Sequence, residues 1–544
     1  MYRFVPPSDQ SAEQFKLSFA GSLTHENRWV QLAQLVPWAE FESEYAQSFS
    51  PTQGAPAKTF QVALGSLIIK ERLGTSDAET VEQIRENPYL QYFLGFEEYS
   101  NTPPFEASML VHFRKRLPLS LIGRVNERMV ERAMAQSQPP CETATQSEQE
   151  TPSAHPDSSV VGESGNSIEA ETRQAQQPEV SNKGKLIIDA SCAPADIHYP
   201  TDLGLLNSGR EHTEAIMDEL YAQVKDEVPQ KPRTYRQTAR RDFLNASRKR
   251  KRSGKQRRKA IKKQLNYVRR NLAHIDALLR AGASLTGLSR FHYQTLLVVS
   301  EVFRQQEWMY KTVTHRIDDR IVSIAQPHVR PIVRGKAGTP VEFGAKFSAS
   351  CNEDGFVFLD HLRWDNLNES GDLQQQAEAY KARHDYYPEV IYADQIYRTR
   401  ANRAWCAQRN IRLMGPPLGR PQKDQKAALR QQTREDEKIR NHIEGKFGQA
   451  KRRFSLARVM AKLASTAETT IAVTFLVMNL QRLLRQVFGV LFLSPWQIHR
   501  AHHALWGGHG VLFGGIISTS KPFSIAPRVP LETLLNSFLI LGPL

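Results

Sequence analysis

The chain has 544 residues, enough for about three folding units at roughly 100–200 residues each, and it is 40% hydrophobic and 24% charged. That composition excludes collagen-like, wholly disordered and disulfide-scaffold chains. Net charge is +15, and residues 231–263 hold 16 Lys and Arg against Asp242 alone, so the rest of the chain sums to zero.

A cation block this dense points to a polyanion partner, because release of condensed counterions from phosphate drives binding. A solvated helix face or a localisation tract is the alternative. Cys141, Cys192, Cys351 and Cys406 lie far apart without a CxxC pair, which argues against structural zinc or a disulfide framework and for a reducing cytosol. The opening MYRFVPPSDQ lacks the basic and apolar regions of a signal peptide. Residues 471–495 are apolar but interrupted by Asn479, Gln481, Arg482, Arg485 and Gln486, so a buried amphipathic helix is expected rather than a membrane span. These features together predict a soluble cytoplasmic protein.

In chain order, residues 1–136 read as a helical domain. Apolar residues recur at three- and four-residue spacing over 60–73 and stop at Gly74. Ser76-Asp-Ala-Glu79 resembles a capping box for a second helix, which Asn87-Pro88 ends. A further helix over about 106–116 carries Arg114, Lys115 and Arg116. Two short helices followed by a basic one are compatible with a helix-turn-helix, with those three residues facing groove or phosphate; an ordinary helical bundle has the same pattern. Residues 137–182 hold eight acids against Arg173 and no aromatic residue, and predict a disordered linker.

Lys185-Leu-Ile-Ile-Asp-Ala190 begins the second part, 183–490, as a buried strand ending in a carboxylate. Helices are expected through the basic block and over 264–280, inside an insertion spanning about 204–335. Strands over 342–351 and 355–364 flank a hairpin turn at Asn352-Glu-Asp-Gly355. A helix over 372–384, a strand over 389–393, a helix over 399–408, a short strand over 410–414 and helices over 435–458 and 467–486 complete the pattern. Strands followed by alternating helix and strand predict an α/β fold, a mixed sheet flanked by helices.

Asp189 and Asp394 each follow a buried strand pattern, so they converge at one sheet edge if those strands are neighbours. Hard Mg²⁺ prefers such carboxylate oxygens, although strand-end Asp residues also serve as turn formers. Glu444 shares a helical face with Arg440, four residues before it, and Lys451, seven after. A carboxylate between two cations can ligate metal while the cations hold phosphate. A plain ion pair explains Arg440 with Glu444 but leaves Lys451 out.

Arg440, Glu444 and Lys451 match the last three members of Tyr-x2-Arg-x3-Glu-x6-Lys, with Glu437 at the tyrosine position. Together with Leu186-Ile-Ile-Asp189-Ala-Ser191, Asp196-Ile-His-Tyr-Pro-Thr-Asp-Leu203, Asp394-Gln-Ile-Tyr397, Gln326-Pro-His-Val-Arg330 and Glu342-Phe-Gly-Ala-Lys346, this set resembles the DDE transposases of bacterial insertion sequences, in the family four/five group and closest to family five. Asn87-Pro-Tyr-Leu-Gln-Tyr-Phe-Leu-Gly95 and Phe113-Arg-Lys-Arg116 resemble the helical domain ahead of that group's catalytic domain.

The resemblance implies a ribonuclease-H-like catalytic domain with Asp189, Asp394 and Glu444 as catalytic and metal-binding triad. It implies two Mg²⁺ ions per site, with Mn²⁺ able to substitute, and Arg440 and Lys451 on backbone phosphate. Double-stranded DNA, as transposon ends and target, is the implied partner, handled by a homodimer assembled on it in the bacterial nucleoid. Arg248, Lys249, Arg250, Lys251 and Arg252 are expected to add non-specific affinity. A metal-dependent nuclease without strand joining and a domesticated, non-catalytic DNA-binding protein are the competing readings.

Some signals are set aside. His499, His502, His503 and His509 have metal-compatible spacing but no accompanying acid. Asp360 and Asp365 flank Trp364 and read as structural. No GxGxxG or GxxxxGK[ST] supports nucleotide binding. Residues 491–544 read as a C-terminal tail of unknown role, and the stretch 506–544 matches nothing in the family.

Overall fold

Two hydrogen-bonding directions meet on strand β1 (Lys185–Pro194), and the layers follow from them. In the computed structural model the described residues are 1–2, 11–17, 21–50, 52–137, 181–248, 251, 253–333, 341–366, 368–416 and 426–506, with side chains described except at 136–137 and beyond 487.

The N-terminal helices are α1 (Arg28–Leu35), α2 (Trp38–Ala46), α3 (Phe60–Leu73), α4 (Asp77–Glu86), α5 (Pro88–Phe93), α6 (Met109–Arg116) and α7 (Leu119–Ser137). Gly74 closes α3 in the left-handed conformation at φ 69°. Ser76 caps α4 by accepting from the Glu79 N–H. Asn87-Pro88 does end α4, but Asn87 also caps α5, with Pro88 at its first position. Trp29 and Trp38 pack on Phe93 with ring centroids 5.2 and 5.5 Å apart.

After β1 come α8 (Asp202–Gln223), α9 (Arg236–Arg248), α10 (Gly254–Arg280) and α11 (Arg290–Thr312). They bury two apolar clusters of their own, one around Ile216, Leu220 and Ile275 and one around Leu206, Leu265 and Val299. The predicted helical insertion is present. The sheet resumes with β2 (Arg330–Val333), β3 (Val341–Asn352) and β4 (Val357–Arg363), followed by α12 (Leu373–His384), β5 (Val390–Tyr392), α13 (Arg400–Gln408), β6 (Arg412–Leu413), α14 (Lys426–Arg453) and α15 (Ala464–Trp506).

β1 runs antiparallel to β3 from Leu186↔Asn352 to Pro194↔Gly344 and parallel to β5 from Lys185↔Val390 to Ile187↔Tyr392. β3 turns back on β4 through the predicted Asn352–Gly355 hairpin, where Gly355 sits at φ 74°, and β2 takes the other stretch of β3. Strand order is β2-β3-β1-β5-β6, with β4 also on β3. Antiparallel strands on one side of β1 and parallel strands on the other give a ribonuclease-H-like sheet. A Cβ at Gly344 would lie 2.1 Å from the Ala193 carbonyl oxygen, so only glycine fits there.

Both faces of β1 are covered, as its unbroken Leu-Ile-Ile run requires. Leu186 and Ile188 pack with α12 and α13 through Ala377, Tyr380 and Cys406. Phe347 of β3 meets Phe447 of α14 and Phe475 of α15 at 5.3 and 5.5 Å.

Residues 1–486 form one compact unit, and residues 487–544 a second. Within the first, buried hydrogen bonds join the N-terminal helices to the sheet and to α15. Asn479 donates to Asn126 Oδ1 and the Val357 carbonyl at 2.9 and 2.8 Å, and accepts from the Val357 N–H at 2.9 Å. Thr469 Oγ1 lies 2.8 Å from the carbonyl oxygens of both Arg114 and Leu117. The expected disordered linker falls largely on residues outside the described set, as do Cys141 and the tail beyond 506. Cys192, Cys351 and Cys406 are buried thiols. Among the described residues no helix is long and apolar enough to cross a membrane, and the 471–486 stretch is largely buried in α15.

Arg114 departs from its expected outward role. Its guanidinium is buried and forks onto Asp77 at 2.5 and 3.1 Å, tying α6 to the start of α4. Arg116 is half-buried with its guanidinium 4.2 Å from the Phe49 ring, and only Lys115 is exposed. A helix this short, packed on two others, has too little free surface for all three cations to face outward. Burial pushes the Asp77 carboxyl up, but the hydrogen bonds and charges of Arg114 and Lys70 outweigh it and hold it below the usual carboxylate range.

A depressed folded-state pKa stabilises the fold above the ordinary carboxylate value and loses that contribution as pH falls through the depressed one. Arg114→Ala should therefore cost about 2–3 kcal/mol near neutrality, and chemical denaturation should show that deficit shrinking on acidification. A deficit that does not change with pH would detach it from the pair.

Candidate active site

The β1–β5 register sets the site. Ile187 pairs with Tyr392, so Asp189 and Asp394 lie two residues further along two adjacent parallel strands. The expectation that their strands are neighbours is met, but Asp189 is not strand-terminal. β1 continues beyond it to Pro194 on the β3 edge, with Ser191, Cys192 and Ala193 buried. The small residues after Asp189 were the available sign of a strand continuing on a crowded edge. Asp394 follows β5 and also caps the next turn, accepting from the Gln395 N–H at 2.6 Å. It is thus a turn former that opens onto the same space as Asp189.

α14 packs against β1 and β5. Ile443, Phe447 and Ala450 are buried, while Arg440, Glu444 and Lys451 line the same cleft as the two aspartates, a space of about 970 Å³. Glu444 is exposed and accepts from Arg440 at 2.9 Å. Asp189 accepts from the Ala190 N–H at 2.8 Å. Burial raises its pKa to about 6, and the Glu444 and Asp394 charges add to the rise against the Ala190 N–H and Arg440. The Tyr397 hydroxyl is buried beside Asp189, and burial with that carboxylate pushes its pKa up.

Among the described residues, no three or more His, Cys, Asp or Glu side chains are gathered closely enough to hold a metal ion. The donor set nonetheless suits a hard divalent cation: carboxylate oxygens border one cleft, and Asp189 is raised by burial and, less, by the two neighbouring carboxylates that such a cation would offset. Glu444 is turned toward Arg440 here.

Residues 391–481 match a family model described as Transposase DDE domain. Residues 18–116 match a second family model, described as Transposase domain (DUF772). The "Uncharacterized protein ORF8 in nfe locus" of Rhizobium meliloti is 32% identical over 111 residues, covering 20% of this chain and 53% of that relative. The chain thus spans about half the length of the curated relative it matches. No solved structure matches. The matched DDE segment contains Asp394, Arg440, Glu444 and Lys451, and Asp189 lies before it.

Two residues of the cleft carried no role in the sequence reading. Lys346 pairs with Glu369 at its edge, and Glu369 also lines the space. Glu369-Ser-Gly-Asp372, two acids at the start of a helix, was the signal available. Asp360 is structural, as read: Ser350 donates to it at 3.0 Å and Gln376 at 2.8 Å, with Arg383 at 3.4 Å. Asp365 is exposed.

The basic block lies largely on α9 and α10, and none of its residues lines that cleft. Arg248 and Lys251 are exposed; Lys249, Arg250 and Arg252 fall outside the described residues. Part of the block, though exposed, also makes contacts within the insertion. Lys263 pairs with Asp242 at 3.1 Å and Arg236 with Asp218 at 2.6 Å, while Arg258 stands 4.1 Å from the Tyr310 ring. The side chains of His499, His502, His503 and His509 lie outside the described residues.

A contact absent from the sequence reading fixes the end of α14. Glu71 of α3 is buried and accepts from the Ser455 N–H at 2.8 Å, the Ser455 hydroxyl at 2.6 Å and the Thr474 hydroxyl at 2.6 Å. Ser455 follows α14 by two residues, so this carboxylate anchors the helix carrying Lys451. Glu71→Ala strands three donors and should destabilise the protein by on the order of 2–4 kcal/mol. Glu71→Gln, which keeps the shape and one acceptor, should cost less in the same denaturant titration.

Proposed function

We propose that the chain is a transposase that cleaves DNA at the ends of its insertion sequence and joins those ends to target DNA. Asp189, Asp394 and Glu444 are the catalytic carboxylates. The observation that carries this reading is that Asp189 and Asp394 each lie two residues past the last β1–β5 pairing, Ile187 with Tyr392, with Glu444, Arg440 and Lys451 of α14 lining the same cleft. Mg²⁺, or Mn²⁺ in its place, two ions per site, supplies Lewis acidity that makes water and a 3′ hydroxyl better nucleophiles when bound by these carboxylates. The chain's own groups orient the rest. The Ala190 and Gln395 N–H groups fix one oxygen each of Asp189 and Asp394. Lys451 and Arg440 hold backbone phosphate, and Arg440 steers Glu444 by their ion pair.

In this reading residues 1–136 recognise the ends, with exposed Lys115 rather than Arg114 toward DNA, 137–182 link them to the catalytic part at 183–490, and the 204–335 insertion grips duplex. Two copies act together on the DNA, in the bacterial cytoplasm and nucleoid.

Asp189→Asn, Asp394→Asn and Glu444→Gln should each abolish cleavage of end DNA while duplex binding persists, since each removes a ligand charge at nearly constant volume. Cleavage at the wild-type rate by any of the three would remove that residue from the triad. Joining of a pre-cleaved end separates transposition from plain nuclease action, and absence of all cation-dependent cleavage would leave only a DNA-binding protein.

Neutralising Arg248, Lys249, Arg250, Lys251 and Arg252 together should weaken all duplexes alike. The slope of log affinity against log salt should become shallower by about 0.9 for each phosphate no longer neutralised. An unchanged slope would mean the block does not touch DNA.

A further inference from the structure

α11 has a buried apolar face and a mixed outward one that also carries large hydrophobic residues. Leu296, Val299, Val302 and Met309 pack inward, yet Tyr293, Leu297 and Trp308 are 42%, 57% and 44% exposed on the other side. Between the last two stand Glu301 and Arg304, joined by bonds of 2.6 and 2.7 Å. The outward positions 294, 297, 301, 304, 308 and 311 alternate three- and four-residue steps, the spacing of a helix–helix seam.

We propose that this face of α11 is where a second copy of the chain docks, as an antiparallel helix pair about a two-fold axis. The order of side chains carries the choice of occupant. With the axis between Val302 and Phe303, Leu297 meets Trp308 of the second copy and Glu301 meets its Arg304. Gln294 meets its Lys311 and Tyr293 its Thr312. Every pairing is then apolar with apolar, opposite in charge, or polar with polar, which is the self-complementarity an isologous interface needs. A parallel pair would stack Glu301 on Glu301 and Arg304 on Arg304. Duplex DNA is a poorer occupant, because Glu301 stands in the middle of the seam and Glu307 beside it. At 23 residues the helix pair falls at the lower end of stable interface sizes, about 1,000 Å², so association is weak and reversible.

The pairing supplies a contact for the two-copy assembly proposed above and is read by mass without DNA. Its failure and the failure of the cleavage reading are therefore separate results. Sedimentation equilibrium of the full chain, up to about 100 μM, should approach twice the 61.8 kDa of one chain. Leu297→Glu and Trp308→Glu should each raise the dissociation constant by roughly tenfold or more. Glu301→Arg should weaken the dimer, and adding Arg304→Glu should restore it. In a Cys141→Ser background, Leu297→Cys mixed with Trp308→Cys should cross-link on oxidation, while either protein alone should not. A wild type that stays monomeric, a dimer indifferent to all these substitutions, or self-cross-linking of Leu297→Cys would each overturn the proposal. So would loss of duplex binding by Leu297→Glu in a monomeric wild type, which would make the face a DNA contact. Should the glutamate variants fail to fold, the charge exchange and the cysteine register decide alone.

Discussion

β1 is hydrogen-bonded along both edges, and the two edges stop at different residues. On the β3 side pairing runs to Pro194; on the β5 side it ends at Ile187. Past Ile187 the parallel partner turns away through Asp394, and one edge of β1 opens while the other stays locked. That mismatch makes the cleft. It leaves Asp189 on a strand rigidly held from one side, beside Asp394 at the start of a turn, with room above for α14. Backbone pairing to β3 thus fixes Asp189 and the turn after β5 fixes Asp394, and each side chain accepts one N–H besides.

The electrostatics of the cleft follow from bringing like charges to that opening. Asp189 is pushed up first by burial and further by Glu444 and Asp394, and Arg440 and the Ala190 N–H only partly offset this. A fold that needed these carboxylates solely for stability would pair each with a cation. Asp360 and Asp372 show that outcome nearby, the first held by Ser350, Gln376 and Arg383 and the second by Ser348 and Arg363. Glu444 has its cation, but on an exposed helix turn where the pair can separate at small cost. Acids that are structural and acids that border the cleft are therefore distinguished by their partners.

Much of this was legible beforehand, for reasons specific to each element. The Leu-Ile-Ile and Val-Ile-Tyr runs read as buried strands because parallel strands are covered on both faces. The α14 face was readable because Arg440, Glu444 and Lys451 stand at helical spacing. Ser76, Gly74 and the Asn352–Gly355 turn are local signals whose chemistry does not depend on the rest of the fold. What could not be read depends on distant residues. Nothing local distinguishes Arg114 from Arg116, yet Asp77 takes the first and Phe49 the second. The extent of β1 past Asp189 is decided by β3, more than 150 residues away in sequence. Composition marked 231–263 as cationic, but Asp242, Asp218 and Tyr310 reveal which of its cations also make contacts within the insertion.

The acidic segment suggests a division into independent parts, but the buried contacts argue otherwise. Glu71 holds the end of α14, Thr469 sits on the Arg114 and Leu117 carbonyls, and Asn479 joins α7 to β4. All three use buried polar groups, whose removal leaves unsatisfied partners and so costs more than removal of an equal apolar area. α15 takes part in each, through Thr474, Thr469 and Asn479. The segment between 137 and 182 therefore connects two stretches of chain whose folded residues already share a core. A displacement of the N-terminal helices would be felt at α14 through Glu71, at the helix that carries Glu444 and Lys451 to the cleft.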